Sequence, residues 1–271
     1  MAKATGNDRA LTALAVGAHP DDIEFMMAGT LILLRRAGAA IHMWNLATGN
    51  CGTATHSRRE VIRLRRGEAR DSAKLIGATL HPPLVDDLMI YYNPSLTARV
   101  AAVVREVKPD ILLVPSPQDY MEDHQNTCRL LVTAAFVRGM SGFVTRPPVA
   151  PWGGEVVLYH ALPYGLRDGL RRLVRSGHYV NIASALSLKR RMLAQHRTQK
   201  EWLDVSQGMD AYLNAMVDMS RQVGRLSGRF PYAEGWRRHS HLGFCDGKAD
   251  PLRGLLGPLC AIDRKYEKSL G

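Results

Sequence analysis

The sequence predicts an α/β fold with a mostly parallel sheet and helices on both of its faces. Two observations predict it. Short apolar runs typical of buried strands alternate with helical patterns through the first two-thirds of the chain. The first and fourth of these runs end in polar turns that contain proline, as expected at the ligand-binding edge of a parallel sheet.

The first part of the chain alternates strands with helices. Gly38 and Gly77 end the first two helices, since glycine is favoured just after a helix. The pair Pro82-Pro83 restricts the third strand to a short or edge position, because proline donates no ladder hydrogen bond. Ser95 is the predicted N-cap of the third helix. The predicted elements are strands at 14–18, 41–46 and 80–85, and helices at 29–37, 57–76 and 95–107.

The second part begins with a clean apolar strand that Pro115 closes, and a loop at 116–123 leads into the next helix. From residue 228 onward glycine, proline and arginine mix without a clear period, and 247–271 show no readable pattern. We expect one domain over 1–271, with a core at about 11–240 and a C-terminal extension at 241–271. The predicted elements are strands at 111–114, 156–160 and 178–182, and helices at 124–138, 185–198 and 208–223.

The bulk composition indicates a globular protein of a reducing compartment. Of 271 residues, 46% are hydrophobic, which is enough for a substantial core. No apolar run approaches the ~18 to 20 residues of a membrane span, and the polar segment from Met1 to Ala10 is a poor signal peptide. The four cysteines form no Cys-x-x-Cys pair. We therefore expect a cytoplasmic protein with no membrane partner.

The formal net charge of +11 does not by itself indicate a nucleic-acid partner. The arginine runs fall mostly inside amphipathic helical patterns, where a solvated face explains them, and no nucleic-acid-binding motif accompanies them. We expect a small-molecule ligand and no nucleic acid. The sequence leaves the oligomeric state open, a homo-oligomer included.

The most informative motif is Ala-His-Pro-Asp-Asp, which directly follows the first strand. His19 and Asp22 are three residues apart, so both side chains can reach one metal ion from a tight turn. Asp21 lies between them and must point elsewhere. The turn thus offers a nitrogen ligand, an oxygen ligand and a free carboxylate, the parts needed to activate a metal-bound water.

A second set of polar residues follows the strand at 111–114, and it contains Asp119, Asp123 and His124. If the two strand ends are neighbours, His124 completes a set of three protein ligands with His19 and Asp22. Three such ligands and a water make a catalytic zinc site. Asp123 is the expected partner of a histidine, because metal-bound imidazoles usually donate their other N–H to a carboxylate.

Each motif also has a simpler interpretation. Aspartate is a favoured N-cap and proline is common in the first turn, so Asp21 or Asp123 could merely start a helix. The coincidence of two such motifs on matching strand ends favours the metal site. The mixed nitrogen and oxygen donors favour one Zn²⁺ per chain, although Fe(II), Co or Ni could occupy such a site.

The sequence resembles the LmbE-like N-deacetylases, the family also named for N-acetylglucosaminyl-phosphatidylinositol de-N-acetylase (PIG-L). The resemblance covers roughly 14–236. The motif after the first strand is the specific part, and the later stretches support it. The stretches that carry it are Ala18–Asp22, Gly29-Thr30, Arg65-x-x-Glu68-Ala69, Gly77, Asp119-x-x-x-Asp123-His124, Lys189, His196–Gln199 and Tyr232–Glu234.

The resemblance implies a Rossmann-like α/β fold and a zinc-dependent hydrolase that removes acetyl groups from N-acetylated amino sugars and their conjugates. It makes His19, Asp22 and His124 the zinc ligands and Asp21 the general base. One position departs from the family pattern. Met121 stands where the family often has a histidine that is thought to support the oxyanion or to donate a proton. Candidate substitutes for this histidine are Tyr120, His239 and His241.

Candidate sugar-binding residues are polar groups on loops near the metal, namely Arg65, Asn50 and Tyr120, with Thr53, Arg58 and Asp87 as further candidates. Three alternatives remain. The chain could hydrolyse a different amide on the same fold, it could be a non-catalytic sugar- or nucleotide-binding module, or it could be a basic nucleic-acid-binding protein. A dinucleotide site is disfavoured because the first turn lacks Gly-x-Gly-x-x-Gly.

Overall fold

A computed structural model describes residues 9–53, 55–200 and 210–270. Most of the N-terminal segment 1–10 and the start of the helix predicted at 208–223 lie outside the described residues. In the described part of the chain, no helix combines the length and the apolar character that crossing a membrane requires.

The strands form one eight-stranded sheet with the order β3-β2-β1-β4-β5-β7-β6-β8. The first five positions are parallel, and the last three strands run antiparallel to their neighbours. The mostly parallel sheet is therefore confirmed. The strands are β1 (Thr12–Gly17), β2 (Ala40–Asn45), β3 (Thr79–His81), β4 (Ile111–Val114), β5 (Val157–Ala161), β6 (His178–Asn181), β7 (Ala233–Arg238) and β8 (Cys260–Ile262).

Helices cover both faces of the sheet, as predicted. In β1, Ala13 and Ala15 pack into one core with α2, α6 and α8, whereas Leu14 and Val16 pack into a second core with α4 and α5. Burial on both faces explains why the parallel strands have continuous apolar sequences. The helices are α1 (Asp22–Met26), α2 (Ala28–Arg36), α3 (Arg58–Lys74), α4 (Pro94–Val107), α5 (Glu122–Phe136), α6 (Leu186–Leu193), α7 (Ala211–Leu226), α8 (Pro251–Leu256) and α9 (Arg264–Lys268).

The predicted helix starts need two corrections. Asn93, not Ser95, caps α4, because its side chain accepts the backbone N–H of Leu96 and proline occupies the first helical position. Helix α5 starts at Glu122 instead of residue 124. Asp123 and His124 therefore lie in the first helical turn, and neither side chain acts as the N-cap.

The helix predicted at 185–198 is also corrected, since α6 ends at Leu193. Just beyond this end, Thr198 donates its backbone N–H and its hydroxyl to the Glu68 carboxylate of α3. His196 lies buried with its Nε2 3.1 Å from the Glu24 carboxylate of α1. The segment after α6 therefore packs against α1 and α3.

Strand β7 was not predicted because its sequence contains glutamate, glycine and arginine. The Glu234 carboxylate is nevertheless buried, and it accepts the backbone N–H groups of Gly29 and Thr30 at the start of α2. Lys189 of α6 donates to the same carboxylate at 2.6 Å. The family-like motifs around these residues thus share one buried contact that joins α2, α6 and β7. Residues 247–271, whose sequence shows no readable pattern, contain the helices α8 and α9 and the strand β8.

We expect Lys189→Met to lower the free energy of unfolding by about 3 to 5 kcal/mol, because it leaves the Glu234 carboxylate buried without its cation. The backbone donors of α2 would offset part of this cost. Denaturant titration measures the effect, with Lys74→Met as the control. The ammonium of Lys74 forms an exposed ion pair with Asp71, so its replacement should change stability by no more than about 1 kcal/mol. Equal effects of the two variants would contradict the prediction.

Candidate metal centre and active site

The site lies where the strand order of the sheet reverses. From β1 the chain moves to β2 and β3 on one side, and β4 then pairs with the other side of β1. The loops that leave β1 and β4 therefore diverge and open a crevice at the carboxyl ends of both strands. The first loop leads to α1 and carries His19, and the second leads to α5 and carries Asp119. The predicted juxtaposition of the two strand ends is confirmed.

His19, Asp22 and His124 converge in this crevice, and one potential ligand atom from each lies within 4.8 Å of the others. The Asp22 Oδ2 atom accepts the backbone N–H groups of Ala18 and His19, both at 2.8 Å. Its Oδ1 atom faces His124 Nε2 at 3.4 Å. The turn thus orients Asp22 through one oxygen and leaves the other directed into the cluster.

A second carboxylate holds the remote nitrogen of each imidazole. His19 Nε2 lies 2.9 Å from Asp123 Oδ2, and His124 Nδ1 lies 3.1 Å from Asp119 Oδ1. Asp123 Oδ2 also accepts the backbone N–H of Leu88. Such partners fix the orientation of a metal-binding imidazole. Asp123 therefore pairs with the histidine of the other loop, whereas Asp119, whose pairing was not predicted, holds His124.

The carboxylates of the cluster stabilise positive charge on the groups between them. Burial lowers the pKa of His124, but the Asp22 and Asp119 carboxylates outweigh it and raise the pKa to about 11. Burial likewise opposes ionisation of Asp22, yet the two imidazoles hold its pKa well below the usual value. A divalent cation between the three side chains would supply the charge that the carboxylates require. Two imidazole nitrogens and one carboxylate oxygen are also a donor set that suits zinc, so these residues fit such an ion.

Asp21 lines the same crevice but has different surroundings. Its φ of 105° is unusual for a residue other than glycine, and such backbone strain is common at functional sites. The Tyr212 hydroxyl of α7 donates to Asp21 Oδ2 at 2.6 Å. Burial, and then the adjacent charge of Asp22, raise the pKa of Asp21 to about 6. A carboxylate with a raised pKa inside a crevice is a candidate general base.

A cavity of about 500 Å³ joins Asp21 to the three clustered side chains. Arg65 and Tyr120, two of the predicted sugar-binding residues, line it, and so does Met121. Arg65 donates to the Gly52 carbonyl at 2.7 Å and to the Gln199 side chain. The family-like motifs around Arg65 and Gln199 therefore meet at the cavity wall.

Asn50 does not line the cavity. Its Oδ1 atom accepts the backbone N–H of Asp87, whose carboxylate in turn accepts the N–H groups of Gly49 and Cys51. These reciprocal bonds close the loop after β2. Asn50 thus shapes the loop, and Asp87 is the residue of this pair that lines the cavity.

The three candidate substitutes for a histidine at position 121 lie in different places. The Tyr120 ring packs edge-on against the His124 ring, with centroids 5.8 Å apart. His239 does not line the cavity, because its Nδ1 atom contacts His160 Nε2 at 2.9 Å. His241 is exposed outside the cavity. Of the three, only Tyr120 lies beside the clustered side chains.

Comparisons with known proteins agree with this geometry. Residues 14–136 match the family model described as GlcNAc-PI de-N-acetylase (PIG-L). Over 231 residues the chain is 25% identical to the diacetylchitobiose deacetylase of Thermococcus kodakarensis, which covers 83% of this chain and 81% of that protein. It is also 28% identical over 152 residues to the 4-oxalmesaconate hydratase of Pseudomonas putida, with 51% of this chain and 59% of that protein covered.

Among solved structures, the N,N'-diacetylchitobiose deacetylase from Pyrococcus horikoshii superimposes with a TM-score of 0.72 at 21% identity. The match covers 86% of this chain and 85% of that one, which shows a shared fold. The family match spans β1 to α5, and so includes both loops that form the clustered site. Residues 14–136, which include both loops of the site, are therefore similar to the PIG-L (LmbE-like) family, as the sequence motifs indicated.

Proposed function

We propose that this protein is a metal-dependent hydrolase that removes the acetyl group from an amino sugar or an amino-sugar conjugate. The convergence of His19, Asp22 and His124 beside Asp21 in one cavity carries the proposal. A relative that covers 83% of this chain is named a deacetylase. An amide is a poor electrophile, so its hydrolysis needs both an activated water and stabilisation of the developing oxyanion.

The three clustered side chains would hold one divalent cation, and Zn²⁺ fits their donors best. Bound there, such an ion lowers the pKa of a water and polarises a carbonyl oxygen. Asp119 and Asp123 would keep the two imidazoles oriented towards it through the contacts described above. His19 would then bind through Nδ1 and His124 through Nε2, because the other nitrogen of each ring faces a carboxylate.

Asp21 would act first as the general base and then as the general acid of the reaction. Its Oδ2 atom is held by the Tyr212 hydroxyl, so we assign proton transfer to Oδ1. That oxygen takes a proton from the attacking water and later delivers it to the departing amine nitrogen. One carboxylate can perform both steps in sequence, which is compatible with methionine at position 121.

A second candidate function is hydration of an unsaturated carboxylic acid. The hydratase relative and the guanidinium of Arg65 in the cavity favour it, because arginine pairs well with carboxylates. Hydrolysis of another amide, or ligand binding without catalysis, are the remaining alternatives.

An acetate-release assay distinguishes the deacetylase from the hydratase. We expect acetate from at least one member of a panel of N-acetylglucosamine conjugates, and we expect a chelator to abolish the release and added Zn²⁺ to restore it. The same preparation is incubated with an unsaturated dicarboxylic acid, whose absorbance falls on hydration. Loss of that absorbance without any acetate release would favour the hydratase and contradict the deacetylase.

A further inference from the structure

The mouth of the cavity is lined by large apolar side chains that are unusually exposed. Leu88, Tyr120 and Tyr164 are 58%, 57% and 47% exposed, respectively, and all three line the cavity. Isolated exposed apolar residues are ordinary on protein surfaces, but a group around one cavity marks a binding surface. The polar side chains described above line the same cavity.

The rings of Tyr120, Tyr164 and Phe25 form a continuous row that begins at the His124 ring. Tyr120 contacts His124, its ring centroid lies 6.3 Å from that of Tyr164, and Tyr164 packs edge-on against Phe25 at 5.3 Å. We call Tyr120, Tyr164 and Phe25 the aromatic wall. Centroid separations of this size are typical of interacting aromatic pairs, so the wall is preorganised.

Tyr120 and Tyr164 are accessible to a ligand, whereas Phe25 is buried and packs against Tyr164. Within the described residues, the side chains of Tyr120 and Tyr164 have ring contacts but no hydrogen bond through their hydroxyls. Tyr164 lies in a short 3-10 turn, Tyr164–Leu166, that follows β5. Its ring is therefore held by the backbone and by Phe25, and part of the ring surface faces solvent at the mouth.

We infer that the substrate carries an aromatic ring attached to the amino sugar, and that this ring stacks on the aromatic wall while the acetamido group reaches Asp21. The inference rests on the proposed function and specifies its substrate class. A free monosaccharide would leave the apolar rings at the mouth in water. An aromatic aglycone would cover them and gain both burial and stacking.

Binding of the reaction products tests the inference independently of catalysis. Titration calorimetry gives dissociation constants for glucosamine and for p-nitrophenyl β-glucosaminide, neither of which contains an acetyl group to remove. We expect the aryl glycoside to bind at least about tenfold more tightly to the unmodified protein, the gain from one stacked ring with its buried area. The fitted stoichiometry reports the folded fraction of each preparation.

Tyr164→Ala should reduce the ratio of the two dissociation constants to about one, whereas Tyr164→Phe should retain it, because the ring and not the hydroxyl makes the contact. Tyr91→Ala is the matched control. Tyr91 is 55% exposed, yet it does not line the cavity, so its replacement should leave the ratio unchanged.

A ratio near one in the unmodified protein, or an unchanged ratio in Tyr164→Ala, would overturn the inference. Octyl β-glucosaminide binding as tightly as the aryl glycoside would also overturn it, since the wall would then prefer any apolar group. If the expected ratios appear and no N-acetylglucosamine conjugate, aryl or other, releases acetate, the ring-binding site stands and the deacetylase proposal fails. The two failures are thus distinguishable.

Discussion

Replacing Asp21 by asparagine is expected to lower kcat by about 10²- to 10⁴-fold, the usual contribution of a general base, while the metal content of the protein is unchanged. Asparagine is suited to this test because it tolerates the positive φ of the position better than most residues. Its side-chain oxygen can still accept the Tyr212 hydroxyl. The substitution therefore removes the proton acceptor with little other disturbance.

The measurement combines steady-state acetate release with metal analysis of the same preparation. Asp218→Asn is the control, because Asp218 lies on the exposed side of α7 in an ion pair with Arg221. Full activity in Asp21→Asn would remove Asp21 from the mechanism. Loss of metal together with loss of activity would instead indicate that Asp21 helps to form the metal site.

The pH dependence follows from the same residue. Burial and the charge of Asp22 raise the pKa of Asp21 to about 6, and a base acts only when it is deprotonated. Activity should therefore be present above about pH 6 and be lost as the pH falls through this value. A bound cation favours the carboxylate form, so the loss in the metal-loaded enzyme should lie at or below pH 6. A profile of kcat/KM against pH measures it, and the residual activity of Asp21→Asn should lack this acid limb.

Replacing His124 by alanine is expected to reduce bound metal from about one ion per chain to near zero and to abolish acetate release. Two remaining ligands hold a divalent cation poorly, and the tetrahedral site of a catalytic zinc needs three protein donors. Metal analysis after dialysis against dilute chelator measures the loss. His56→Ala is the control, because His56 contacts only Glu60 among the charged groups of the described residues. Unchanged metal content in His124→Ala would contradict the proposed ligand set.

Asp119→Asn should give a graded form of the same result. Asp119 orients His124 through Nδ1 and does not itself join the cluster, so metal affinity should fall by about 10- to 100-fold. Competition with a chromogenic chelator measures this affinity. An unchanged affinity would show that the Asp119 contact does not support the imidazole.

Local sequence patterns identified the parts of this site because each part depends on neighbouring residues. An apolar run followed by a polar turn predicted the ends of β1 and β4, and parallel strands place such ends at one edge of a sheet. The spacing of His19 and Asp22 within one turn was readable for the same reason. The start of α4 is also local, because Asn93 caps it and Pro94 follows, although the prediction placed the cap at Ser95. The end of α6 at Leu193 was not readable from the sequence, since the residues after it make buried contacts with the distant helices α1 and α3.

The sequence by itself determined the alternation of strands and helices, the two motifs and the residue types that could bind a metal. Only the tertiary structure decided which carboxylate holds which histidine: Asp123 pairs with His19 across 104 positions of sequence, and Asp119 pairs with His124. It also brought Tyr212 to Asp21 across 191 positions and assembled the aromatic wall. The physical reason is that these contacts depend on strand order and helix packing, which place residues together irrespective of their separation along the chain.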